Sequence, residues 1–132
     1  MTSEENRRTL IAYRLKQAQE ALDDSRKLAE HQGSPRSVVN RSYYAMFYAV
    51  LALLLVIDRG SSKHSGAISL FDVHFVKPGL FPKELSKALH RAFELRQEGD
   101  YEEMAEIDME DGMEMIRSAG EFLAAVHAYL GD

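Results

Sequence analysis

The sequence predicts an all-α protein, an antiparallel up-down bundle of four long helices and one short helix. Three observations lead there. Apolar residues recur at intervals of three and four rather than two. Glycine, proline and serine punctuate the breaks between these periodic runs. Finally, from Ser42 to Ile57 no side chain carries a formal charge, so a helix there is apolar on nearly every face and needs enclosure by other helices or by a second copy.

Each element follows from its own signals. Ser3 is a candidate cap for a first helix reaching about Glu30, with Ile11, Leu15, Ala18, Leu22 and Leu28 or Ala29 as its inward stripe. His31, Gln32 and Gly33 end it. Ser34 then Pro35, a cap followed by a first-turn proline, starts the central helix, which runs through Ile57. After a turn from Asp58 to Ser62, a short third helix from Lys63 to about Phe75 aligns Ala67, Ile68, Phe71 and Phe75. The segment VKPGLFP breaks it. Pro82 opens a fourth helix with Leu85, Leu89, Ala92 and Phe93 inward and Arg96 a turn further, and Gly99 is expected to stop it. A polar connector covers 100–107. Asp108 caps the last helix, in which Met109, Met113, Ile116, Leu123, Val126 and Leu130 form the expected core stripe.

Composition narrows the function classes. The chain has 132 residues, 45% of them apolar and 28% charged, which predicts one domain over 1–132 that buries about two thirds of its unfolded surface. Its net charge of -5 opposes a broad grip on duplex DNA but allows a local site for a phosphate. With no cysteine, thiolate chemistry, disulfides and thiolate metal sites are absent. The start, MTSEENRRTL, lacks the apolar core of a signal peptide, and the uncharged stretch is shorter than the ~20 residues that span a bilayer. The expectation is a cytoplasmic protein with no membrane contact. The histidine and carboxylate spacings resemble no metal-ligand set, and no cofactor is expected.

Arg41 stands at the mouth of the uncharged helix, with Tyr43, Tyr44 and Tyr48 just inside, and burying these groups is costly unless something pairs with them. Arg41, Tyr44 and Tyr48 share one side at helical spacing and can line a cleft that holds a phosphate and stacks a base. The alternative is structural: Arg41 pairs with Asp100 or Glu94, and the tyrosines belong to the core. Lys63 and His64, at the exposed start of the third helix, lie where an anion is favoured. Arg59, four residues and His64 form an arginine–histidine pair by spacing, between the second and third helices. The acidic cluster from Glu102 to Glu114 reads as a solvated face that can also attract a basic partner.

Several segments carry a family resemblance: NRSYYAMFYAV, KHSGAISLFDVHFVKPGLFPKEL, FELRQEGDYEE and the closing EFLAAVHAYL. From about Ser34 to Leu130 the chain resembles the prokaryotic HEPN domain, in its small stand-alone UPF0332-like branch. The resemblance implies a helical bundle that forms homodimers, often beside a minimal nucleotidyltransferase as a toxin–antitoxin pair. It also implies metal-independent ribonuclease activity in many members, carried by an arginine and a histidine a few residues apart near the junction of the last two major helices. In that chemistry an imidazole moves the proton of a ribose hydroxyl or leaving oxygen while a guanidinium holds the phosphate. Here the junction reads Arg96, Gln97, Glu98, Gly99, Asp100, Tyr101, so the arginine is present and the histidine is not. Asp100 falls where the base is wanted, or it pairs with Arg96 one turn earlier.

Three readings follow. In the first, a HEPN dimer binds RNA, a nucleotide or a nucleotidyltransferase partner through Arg41, Tyr44, Tyr48, Lys63, Arg96 and Tyr101. The second is an endoribonuclease using Arg96 with His64 or Asp100. The third is a purely structural helical homodimer.

Overall fold

The computed structural model describes residues 2–101 and 106–131, with 98–101 described by backbone alone. Helix α1 spans Ser3–Glu30, α2 Pro35–Val56, α3 His64–Phe71, α4 Lys83–Tyr101 and α5 Met109–Leu130. The fold is the expected all-α antiparallel bundle, and there is no strand among the described residues.

Local chemistry sets the helix starts. Thr2, rather than Ser3, caps α1: the Glu5 amide donates to Thr2 Oγ1 at 3.1 Å while the Thr2 amide donates to Glu5 Oε2 at 3.1 Å. This reciprocal pairing satisfies two of the amides that a helix start leaves open. Ser34 caps α2 through the Ser37 amide, with Pro35 in the first turn. Asp108 and Asp111 repeat the reciprocal cap at α5. The α1–α2 turn is tight: the Gly33 amide donates to the Leu28 carbonyl at 2.6 Å. A Cβ on Gly33 would lie 2.9 Å from both that carbonyl oxygen and Leu28 Cδ2, so only glycine fits.

Helix α2 is the axis of the bundle and packs against all four other helices. By length and composition it is apolar enough to cross a membrane, but 67% of its most apolar window is buried in the protein, as befits a core helix. Val38, Val39, Tyr43, Met46, Val50 and Leu53 are fully enclosed. This cover comes from the chain's own helices, so the apolarity of α2 does not require a second copy. Large apolar side chains left exposed include Leu10 and Tyr13 on α1 and Val56 at the end of α2.

Some expected boundaries and faces shift. Helix α3 starts at His64, with Lys63 as its cap residue, and passes into a π-helical turn over Asp72–Val76. Ala67, Ile68, Phe71 and Phe75 do point inward. Helix α4 does not stop at Gly99 but continues to Tyr101, because one glycine costs a helix only ~1 kcal/mol and does not by itself end it. In α5 the core side is Met115, Ala119, Phe122, Leu123 and Val126, whereas Met113 is 48% exposed. The 109–113 spacing is helical, but the stripe it continues lies one step away from the face that meets α2. Leu95 joins Leu85, Leu89 and Ala92 in the α4 core.

Candidate functional site

The site forms where α2, the start of α3 and the last turns of α4 converge. On α2, Arg41, Tyr44 and Tyr48 follow at three and four residues, while Tyr43 and Phe47, also four apart, form the adjoining buried stripe. Tyr43 is fully buried and Tyr44 half-buried. Their rings meet edge to face at 5.2 Å, Tyr44 lies 5.7 Å from Tyr48, and Phe93 from α4 closes on Tyr43 at 5.8 Å.

Two guanidinium groups lie on this aromatic surface. Arg41 is 5.0 Å from the centre of the Tyr44 ring; Arg96, arriving from α4, is 5.5 Å from both Tyr43 and Tyr44. Each such contact contributes ~0.5–2 kcal/mol, rising as water is excluded. Arg41 also donates through Nε and Nη2 to Asn40 Oδ1, at 3.1 and 3.0 Å. That partner is neutral, so the Arg41 charge is not cancelled there. Of the two alternatives for an internal ion pair, the one with Glu94 is not formed, and Glu94 is exposed.

The third component is His64, whose ring stacks on Phe47 at 4.1 Å and 5° and whose Nδ1 is 2.7 Å from the Tyr43 hydroxyl. The turn before α3 holds it there. Ser61 Oγ accepts from the Lys63 amide at 3.2 Å and sits where a Cβ on Gly66 would be, so glycine at 66 lets the turn close on the helix. Desolvation lowers the His64 pKa and the nearby Arg96 charge lowers it further, favouring the neutral imidazole. Burial pushes the Tyr43 hydroxyl well above its ordinary pKa, so it keeps its proton. With that hydroxyl donating to Nδ1, the imidazole proton sits on Nε2 as a donor; in the other tautomer Nε2 is a base.

The structure therefore brings Arg41, Tyr44, Tyr48, Arg96 and His64 into one patch. Lys63 is exposed at the α3 cap, beside His64 in the chain. The side chains of Asp100 and Tyr101 lie outside the described residues. Arg59 is exposed and lines a separate hollow with Leu10, Arg14 and Leu51, so the arginine that accompanies His64 is Arg96, not the one the linear spacing offers. Sequence reasoning missed Tyr43 and Phe47 as the groups that seat His64; the available signal was their four-residue spacing beside Arg41. Elsewhere, Asp72 in the π-turn accepts from Ser86 Oγ at 2.7 Å and bonds His90 Nε2 at 2.6 Å, tying that turn to α4. No group of three or more metal-ligating side chains occurs among the described residues.

A five-helix bundle with arginines and an imidazole seated on helix-borne tyrosines defines a class of small α-helical protein with a cationic and aromatic patch on its central helix. Residues 11–129 match the HEPN domain, and the chain belongs to the HEPN family. It is 43% identical over 123 residues to a UPF0332 protein of Thermotoga maritima, covering 93% of this chain and 92% of that one. A UPF0332 protein of Archaeoglobus fulgidus is 34% identical over 113 residues, covering 86% of this chain and 89% of the relative. A protein of Methanocaldococcus jannaschii named as a candidate toxin is 36% identical over 92 residues, 70% of this chain and 63% of its own length.

Proposed function

We propose that this chain is a HEPN binding module whose Arg41–Tyr44–Arg96 patch holds a phosphate-bearing ligand, a nucleotide or single-stranded RNA. The observation that carries this reading is the placement of two guanidinium groups over one half-buried tyrosine ring. Charge for the phosphate and a face for the base thereby lie side by side, with Tyr48 extending the stacking surface. The module works as the HEPN half of a toxin–antitoxin-like pair with a minimal nucleotidyltransferase, in the cytoplasm, and as a single-domain homodimer. The toxin naming of the Methanocaldococcus relative supports the first point, and exposed Leu10, Tyr13 and Val56 supply apolar surface for the dimer.

Binding of a labelled nucleotide or short RNA, followed by fluorescence anisotropy, tests the patch. Arg41→Ala and Arg96→Ala should each weaken binding by about tenfold, the equivalent of one charge-assisted contact. A folded wild-type protein that binds neither ligand sinks the reading. Co-expression with the neighbouring nucleotidyltransferase, where one is encoded, tests the pairing.

A second reading, a metal-independent endoribonuclease, is favoured by one specific observation: His64 approaches the Arg96 charge and is held neutral. Its Nδ1 is engaged by Tyr43, so proton transfer would run through Nε2, with Arg96 on the phosphate. Cleavage of RNA in chelator, lost in both Arg96→Ala and His64→Ala, establishes that activity. Its absence in folded wild-type protein leaves binding alone.

A further inference from the structure

Arg41 belongs to two places at once. Besides lying over Tyr44, it lines two adjoining hollows between the last turns of α1 and the first turns of α2, of about 400 and 360 Å³. Leu28 and Arg41 are common to both. Lys27 joins them in the first hollow, and Arg36, Ser37 and Asn40 in the second. Three cations therefore edge an apolar floor in a chain that overall carries 21 acidic against 16 basic residues. Among the described residues, none of Lys27, Arg36 and Arg41 forms an ion pair, while Arg7, Arg8, Lys16, Arg26 and Arg91 all do. Asp24, exposed to water, is the carboxylate on the rim.

Resting on the patch reading above, we infer that the α1–α2 groove carries the continuation of the ligand, so that the ligand is a single-stranded oligonucleotide rather than a mononucleotide. A mononucleotide has its phosphates in one place and needs only the patch. A strand presents phosphates in succession, and Arg96, Arg41, Arg36 and Lys27 offer cations in succession from α4 across α2 to α1. Leu28 and the aliphatic stems of Lys27 and Arg41 give sugars or bases an apolar floor between those charges. A duplex is disfavoured because the chain's excess of acidic over basic residues repels its dense phosphate charge. An acidic peptide matches the charge but leaves the contiguous tyrosine surface unused.

The test compares AMP with a mixed-sequence single-stranded RNA of about ten nucleotides, within the range single-strand sites span, by anisotropy across a salt series. Wild-type protein should bind the RNA more tightly than AMP. The Lys27→Ala/Arg36→Ala double variant should bind the RNA about tenfold or more weakly and lower the salt slope by about 1.4, the value for two lost single-strand phosphate contacts. Both side chains are exposed, and circular dichroism checks the fold of the variant. Equal wild-type affinity for AMP and RNA, or unchanged RNA binding in the folded double variant, overturns the groove and leaves the patch standing. Wild-type protein that binds neither overturns both. Displacement of the RNA by polyglutamate at matched charge overturns the groove as a nucleic-acid site and makes it a protein-docking surface.

Discussion

Two aromatic clusters organise this bundle, and they differ in what they enclose. In one, Phe71, Phe75, Phe81 and Phe122 pack with Tyr129 at ring separations of 5.3–6.1 Å. All four phenylalanines are at most 3% exposed, and their mutual contacts are hydrocarbon throughout. In the other, Tyr43, Tyr44, Phe47 and Phe93 pack at similar separations but also seat an imidazole and two guanidinium groups. The first cluster joins the α3 end, the loop before α4 and α5 by burial alone. The second gives up some of that burial to seat polar and charged groups at a protein–water boundary. Similar ring geometry thus encloses hydrocarbon alone in one place and seats an imidazole and two guanidinium groups in the other.

The largest effect that tests this division lies in the phenylalanine cluster. Phe122→Ala removes a fully buried ring and should cost ~3–5 kcal/mol in chemical denaturation, while His64 in the folded variant titrates as in the wild type. A coupled change in His64 would show that the clusters are one unit.

A smaller effect is expected from Tyr43→Phe, which keeps the ring but removes the hydroxyl 2.7 Å from His64 Nδ1. Stability should fall by ~1 kcal/mol, the usual worth of one such bond. A neutral outcome means that His64 is held by stacking on Phe47 alone.

The smallest effect is electrostatic. The folded His64 pKa lies below its ordinary 6.5, so between those two values the unfolded chain holds more protons than the folded one. The His64 contribution is therefore complete above pH 6.5 and declines as pH drops through 6.5 towards the folded pKa. Arg96→Gln removes one of the two causes, so the His64 pKa should rise towards 6.5 and the acid-side decline should flatten. An NMR titration of the His64 ring measures it; an unmoved or lowered pKa shows that Arg96 does not act on the ring.

Much of the fold was legible because its signals are local. Ser34–Pro35 and Asp108 mark helix starts through their own chemistry, and the α2 sequence announces a buried helix by lacking charge. Local signals were weaker where two candidates stood side by side. Thr2 prevailed over Ser3 because it lies three residues before Glu5, which returns the capping bond. Met115 prevailed over Met113 because the position of α2, not the α5 periodicity, chose the buried face. The candidate site was legible in part: Arg41, Tyr44 and Tyr48 stand out at helical spacing, but the spacing of Arg59 and His64 is no guide to which arginine His64 meets, because the two chain segments diverge in the fold.

The sequence by itself determined the helices, their order, the central place of α2 and the cations and tyrosines at its mouth. These depend on periodicity, caps and charge within a few residues of chain. Only the tertiary structure decided that Arg96 meets Tyr43 and Tyr44, that His64 lies against Phe47, and that Arg41 looks into a groove with Lys27 and Arg36. Those groups come from different helices, and the angle and register at which the helices pack are fixed by the whole core, not by any one segment of it.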